Sequence, residues 1–186
     1  MTVKTKKRGR PPASGQPLSQ QRIISQAKLM MLEQGKVPSI RQLAAELQVD
    51  AMAIYHYFDN KNVLLESLAM SLVAEVAMEQ TADDWQAELL ALSQRYIGLL
   101  SQYAGLLDTL LTMKSTGPAE VFTTQLVNIL EPLNLDQQHF NHVLCLLVDY
   151  LHGFALAMRC DTTGQLTVAQ LQGPISLLCQ AIELPR

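Results

Sequence analysis

The 186-residue sequence is 48% hydrophobic and 17% charged, which excludes disordered and fibrous classes and leaves room for a small domain joined to a larger one. Its net charge of −3 hides an asymmetry: residues 1–61 hold ten Lys/Arg against four Asp/Glu, whereas residues 62–186 hold four against thirteen. A basic first third on an acidic body attracts a polyanion to one end and repels it from the rest; an ordinary solvated charged face is the plainer alternative.

Residues 1–17 carry Lys4, Lys6, Lys7, Arg8 and Arg10 with no acid and no large apolar residue besides Met1 and Val3, so they predict a flexible basic arm rather than core. Arg8-Gly9-Arg10-Pro11 resembles the AT-hook core, an extended segment whose guanidinium groups enter a narrow A·T-rich minor groove; a nonspecific basic tail is the alternative. Ser19 is placed to cap a first helix in which Ile23, Ala27, Met30 and Met31 recur at helical spacing up to Gly35. Ser39-Ile40-Arg41-Gln42 fits a capping box that opens a short second helix, with Ile40, Leu43, Ala44 and Leu47 on its buried face. Gln48-Val49-Asp50 then leads tightly into residues 51–57, where Asp50 caps a third short helix, and this pair predicts a helix-turn-helix. Asp59 or Asn60 starts a fourth helix, from about Lys61 to Glu79, with Leu64, Leu65, Leu68, Leu72 and Val76 inward.

A polar break at Thr81 to Asp84 precedes the most regular segment, where Leu89, Leu92, Tyr96, Leu99, Tyr103, Leu106, Leu110 and Met113 alternate at spacings of three and four. A second stripe beside it widens the apolar face, so the spacing predicts a central helix over 85–113, with Gly98 or Gly105 as the place for a break or bend. Thr116-Gly117-Pro118 reads as a turn before a helix from Val121 to Leu130 that stops at Glu131-Pro132. Asp136 opens a long helix ending near Cys160, with Leu144, Leu147, Leu151, Phe154 and Met158 on one face and Leu146, Gly153 and Leu156 on the other. Val168, Leu171, Ile175, Leu178 and Ile182 form a last stripe, kinked or split at Gly173-Pro174. The apolar surplus of the helices at 136–160 and 167–183 predicts a four-helix homodimer interface.

Ser39-Ile40-Arg41-Gln42-Leu43-Ala44, Leu47-Gln48-Val49, the run Ile54-Tyr55-His56-Tyr57-Phe58-Asp59-Asn60-Lys61 and Leu64-Leu65 together resemble the TetR family of transcriptional repressors. The specific motifs lie within about the first eighty residues, and the remainder is similar to the family in helix order, length and paired C-terminal helices. The resemblance implies an all-α fold of about nine helices, with a three-helix DNA-binding domain and a larger helical bundle. Residues 1–17 are then the arm, 18–62 the helix-turn-helix domain, and 63–186 the ligand-sensing and dimerisation domain. It also implies a dimer on double-stranded palindromic operator DNA, released by a small apolar or amphipathic effector. One departure is Gln48, where the family commonly has a glycine that tolerates a left-handed backbone better.

The residues themselves point to the same site. A recognition helix enters the major groove by its N-terminal end, so Ala51, Met52 and His56, which the core spacing does not need, are expected at base edges. Ala51 and Met52 suit thymine methyls, His56 a purine acceptor, and Arg41 a guanine or a phosphate, and the family likeness supports the assignment of Arg41 and His56. Tyr55 and Tyr57 offer hydroxyls to phosphate or, alternatively, join Phe58 in an aromatic core. Lys61 and Ser39 stand at helix starts, where an anion is also favoured. In the body, Tyr96, Tyr103, Met113, Phe122, Phe140 and Met158 either line an apolar effector cavity or fill a core.

His142, Cys145, Asp149 and His152 form a helical stripe of potential metal ligands, but it spans about 15 Å of straight helix, too far for one ion. Polar residues at a seam or pocket wall are the simpler reading, and no metal or cofactor is expected. No GxSxG, Walker or GxGxxG motif appears, so no enzyme is expected. Cys145, Cys160 and Cys179 lack CxxC spacing and read as reduced thiols. No stretch approaches the roughly 18 uncharged apolar residues of a membrane span, and no apolar leader follows the basic start, so a cytoplasmic protein without a membrane partner is expected. The other classes are an architectural DNA-binding protein without a ligand, and a helical-bundle metalloprotein or metal sensor.

Overall fold

The computed structural model describes residues 17–77 and 84–183, and among these the chain is all α. Helix α1, Gln20–Gln34, starts where Ser19 is extended and its hydroxyl accepts from the Arg22 N–H at 3.2 Å. It ends at Gly35, whose φ of 63° turns the chain left-handed and aims its N–H at the Met31 carbonyl. Helix α2, Ile40–Glu46, opens on the full capping box: the Gln42 N–H donates to Ser39 Oγ at 3.3 Å and the Ser39 N–H to Gln42 Oε1 at 2.9 Å. Asp50 Oδ1 accepts from the Met52 N–H at 2.7 Å and begins α3, Ala51–Tyr55. Asn60 Oδ1 accepts from the Asn62 and Val63 N–H groups and begins α4, Lys61–Ala77.

The turn between α2 and α3 needs a left-handed residue, and Gln48 supplies it at φ 56°. A side chain there is strained by about 1–3 kcal/mol, only part of which the extra entropy of a glycine would forfeit. Gln48→Gly is therefore expected to stabilise the protein by about 0.5–1 kcal/mol, read as a higher melting temperature. An unchanged or lower melting temperature would show that Gln48 makes a compensating contact.

Helix α4 packs on α1 and also on α5, α6 and α7, so it joins the first three helices to the body, and the α1–α2 loop adds a contact where Val37 lies against Gly105. Leu64, Leu68, Leu72 and Val76 are buried as their spacing requires, whereas Leu65 is only half-buried. Lys28 on α1 donates to the Ser71 carbonyl and hydroxyl and pairs with Glu75, fastening α1 along α4. At the far end the Arg95 Nε–H donates to the Val76 carbonyl at 3.0 Å, and Nη2 meets the buried carboxylate of Glu88 at 2.7 Å.

The segment expected as one helix over 85–113 is two. Helix α5, Trp85–Gln102, is capped by Asp84 and stops at Tyr103; Gly105, at φ 90°, then redirects the chain into α6, Leu106–Thr112. Of the two glycines considered, Gly105 makes the break, while Gly98 lies inside α5. Helix α7, Gly117–Leu130, begins before the expected Val121, because Pro118 fits the first helical turn instead of belonging to a preceding loop. Nor does Pro132 stop the chain outright, since Glu131–Leu133 tightens into a 3₁₀ turn ending at left-handed Asn134. Asp136 caps α8, Gln137–Cys160, through the His139 N–H at 2.8 Å. The last stripe divides into a 3₁₀ turn, Val168–Leu171, and α9, Gln172–Glu183, so Gly173-Pro174 falls in the first turn of α9 instead of kinking its middle.

By length and apolar composition α8 would suffice to cross a membrane, which the sequence had not led us to expect. Val143, Leu147, Leu151 and Phe154 instead bury one side of it in the core, and Leu146 is left 62% exposed. Leu177 on α9 is 66% exposed.

Candidate functional site

Ile54 is fully buried, the one buried residue of α3, and it fixes the rotation of that five-residue helix. The outward side consequently presents Met52, 64% exposed, with Tyr55 and His56, while Ala51 is half-buried. Arg41 is exposed on α2, which packs against α3, and Lys61 is exposed at the start of α4. A thioether, an imidazole and two cations exposed on α2, α3 and the start of α4 are groups that can meet base edges and phosphates. Arg8 and Arg10 lie outside the described residues.

Two hydroxyls expected at phosphates already have partners. The Ser39 hydroxyl donates to Gln42 Oε1 at 2.8 Å within the capping box. The Tyr57 hydroxyl donates to the Leu18 carbonyl at 2.6 Å, and Gln20 Nε2 donates back to the Tyr57 carbonyl at 3.0 Å. Tyr57 therefore ties the root of the N-terminal segment to the chain leaving α3, and would have to give up that bond to donate to a phosphate. Phe58 is buried, as its aromatic-core reading requires.

In the body, a cavity of about 280 Å³ lies among α4, α5, α6, α7 and α8, with Tyr96, Met113 and Phe122 in its walls. The rings of Tyr96 and Phe122 are 4.9 Å apart at 53°, and the Tyr96 hydroxyl is 2.9 Å from His152 Nε2, with the tautomer deciding which group donates. Burial pushes the Tyr96 phenol far above its ordinary pKa, so it stays a neutral hydroxyl. Burial also lowers His152, a shift that the nearby Asp149 carboxylate opposes.

The other expected cavity residues lie elsewhere. Tyr103 is buried where α5 ends, Met158 borders a separate hollow with Leu100 and Leu107, and Phe140 borders a shallow groove with Val127 and Leu130. The stripe on α8 is divided: Cys145, Asp149 and His152 line the 280 Å³ cavity, whereas His142 lies with Asp136 and His139 in a surface depression. Among the described residues no group of three or more His, Cys, Asp and Glu side chains is placed to hold a metal ion. Of the two places that the sequence left open for the stripe, a seam or a pocket wall, Cys145, Asp149 and His152 occupy a cavity wall.

A larger cleft of about 690 Å³ is lined by Val37, Leu65 and Glu66 together with Asp108, Thr109 and Lys114. Met113 and Ser115 border both this cleft and the inner cavity. The Ser115 hydroxyl donates to Glu66 Oε1 on α4, so the wall between the two spaces is hydrogen-bonded to the helix that follows α3.

Residues 23–68 match the family model described as bacterial regulatory proteins, tetR family, and residues 78–178 match the tetracyclin repressor-like C-terminal domain. No curated protein is significantly similar in sequence. Among solved structures, the chain is similar to a TetR variant from Acinetobacter baumannii in complex with minocycline: TM-score 0.73 and 22% identity, over 90% of this chain and 97% of that one. BioQ bound to its natural double-stranded DNA operator gives TM-score 0.70 and 18% identity, over 89% and 98% of the two chains. Apo ActR from Streptomyces coelicolor gives 0.68 and 17%, over 92% and 88%. At such identities the likeness establishes the fold.

Proposed function

The chain belongs to the TetR family of bacterial transcriptional regulators, and from that premise we propose that it is a repressor which binds a palindromic operator as a homodimer and is released by a small molecule. The observation that carries this reading is the outward side of α3, where Met52 and His56 stand exposed because Ile54 is fixed in the core beneath them. In this reading residues 18–62 read DNA, residues 63–186 sense and dimerise, and Arg8 and Arg10 of the arm add minor-groove or phosphate contacts. A two-fold dimer through the free faces of α8 and α9 presents two copies of α3 to related half-sites. The effector occupies the inner cavity, with Tyr96, Met113 and Phe122 among its contacts. It lowers operator affinity by favouring a dimer in which α4 holds the recognition helices at a different separation, and operator DNA weakens effector binding by the same factor. The minocycline and operator complexes of the similar structures support both halves of the reading.

The test uses a duplex that the full chain itself enriches from a random library. Arg41→Ala and His56→Ala are expected to relax base preference and cost about 1–3 kcal/mol per lost base contact. Lys61→Ala should weaken binding equally on all sequences and flatten the salt dependence by about one phosphate contact. Unchanged binding in all three variants would remove α2 and α3 from the interface.

A further inference from the structure

Asp149 is the one carboxylate among the described residues lining the inner cavity, and no lysine or arginine lines it. A second carboxylate, Glu66, stands directly behind the wall, holding the Ser115 hydroxyl. The only cationic candidate in the lining is His152, and burial holds it below its ordinary pKa, so it adds little positive charge near neutral pH. Lys114 borders the outer cleft and does not line this cavity, while Arg159 is held by Asp108 through bonds of 3.0 and 2.9 Å. The remaining surface is mostly apolar and includes the Tyr96 and Phe122 rings.

We propose, resting on the effector reading above, that this cavity selects a small organic cation: an amine or quaternary ammonium on an apolar body of one or two rings, with Asp149 as its counter-charge. Desolvating a cation here is offset by the carboxylate and by the negative faces of the two rings. An anion entering the same space gives up water, meets no charged donor and faces Asp149. A neutral molecule of the same shape gains the apolar burial alone. The volume of about 280 Å³ lies just below the usual range for ligand sites, which restricts the body to a small one. Asp149 is solvent-exposed, so it stands at the mouth and the charged group binds there, with the ring system inward against Tyr96 and Phe122.

Three probes of one skeleton separate the charge effect from the shape: 1-naphthylmethylamine, 1-naphthalenemethanol and 1-naphthoate, titrated calorimetrically into the full chain at pH 7. The amine is expected to bind about tenfold tighter than the alcohol, and the carboxylate weakest. Asp149→Asn should abolish the amine's advantage while the alcohol stays within about twofold, and Asp149→Lys should place the carboxylate first. Both changes are at an exposed position, and their melting temperatures report retention of the fold. A carboxylate that equals or exceeds the amine, an amine advantage that survives Asp149→Asn, or no binding of any probe at millimolar concentration overturns the proposal. Operator binding measured on the same preparation separates the two readings. If it persists while the probes fail, only the cation assignment falls; if it is absent, the regulator reading falls with it.

Discussion

Replacing Ile54 by alanine is expected to cost about 2–5 kcal/mol of stability and to remove operator binding. Ile54 is fully buried and is the one buried residue in α3, a helix of five residues that propensity cannot hold together without packing. Deleting its outer carbons leaves a void under α3, so the helix is free to rotate and Met52 and His56 no longer share a defined face. Urea denaturation followed by circular dichroism gives the stability loss, and titration of the operator duplex gives the functional one. The cavity among α4 to α8 should keep its shape and any affinity for the proposed effector, because it uses none of the first three helices. A variant that binds operator within about twofold of the parent would show that α3 does not read DNA through a fixed side.

Leu146→Asp combined with Leu177→Asp is expected to turn the proposed dimer into a monomer and to lower operator affinity by roughly 10²–10⁴-fold. The two leucines are 62% and 66% exposed on α8 and α9, the helices whose apolar surface is not fully covered within one chain. Burial of both against a second copy is favourable by the usual apolar term, and a pair of carboxylates there would be desolvated without partners. Affinity falls because the second half-site no longer binds as an intramolecular event. Light scattering reads the mass, and the folded monomer should keep its helical spectrum because neither leucine is in the core. A double variant that remains dimeric would move the interface elsewhere.

Local features were the most legible in the sequence. Ser19, Ser39, Asp50 and Asp136 each cap the helix their spacing points to, since a cap depends on the next three residues alone. The strained Gln48 turn was readable for the same reason. The break at Tyr103–Gly105 was harder, because α6 turns Leu106 and Leu107 to the same core as α5 and the apolar spacing continues across the change of direction. Gly117-Pro118 looked like a loop, yet proline is at home in a helix's first turn, and only packing on α4 decides between the two. The cavity was the least legible part. Tyr96 and Phe122 come together from α5 and α7 with Met113 from the end of α6, while Phe140 and Met158 border other spaces and Tyr103 is packed in the core. Asp149 and His152 could be placed on one stripe, but what faced that stripe depended on how the helices pack.

The most direct test of the regulator assignment is selection from a random duplex library with the full chain, followed by salt titration of the enriched sequence against an unrelated duplex. The expected result is an inverted repeat bound about 10³-fold or more tighter than the unrelated duplex near physiological salt, with one protein dimer per site. Equal affinity for both duplexes, with a shared salt dependence and no symmetric sequence enriched, would reduce the basic first third of the chain to a nonspecific polyanion-binding surface and contradict the account.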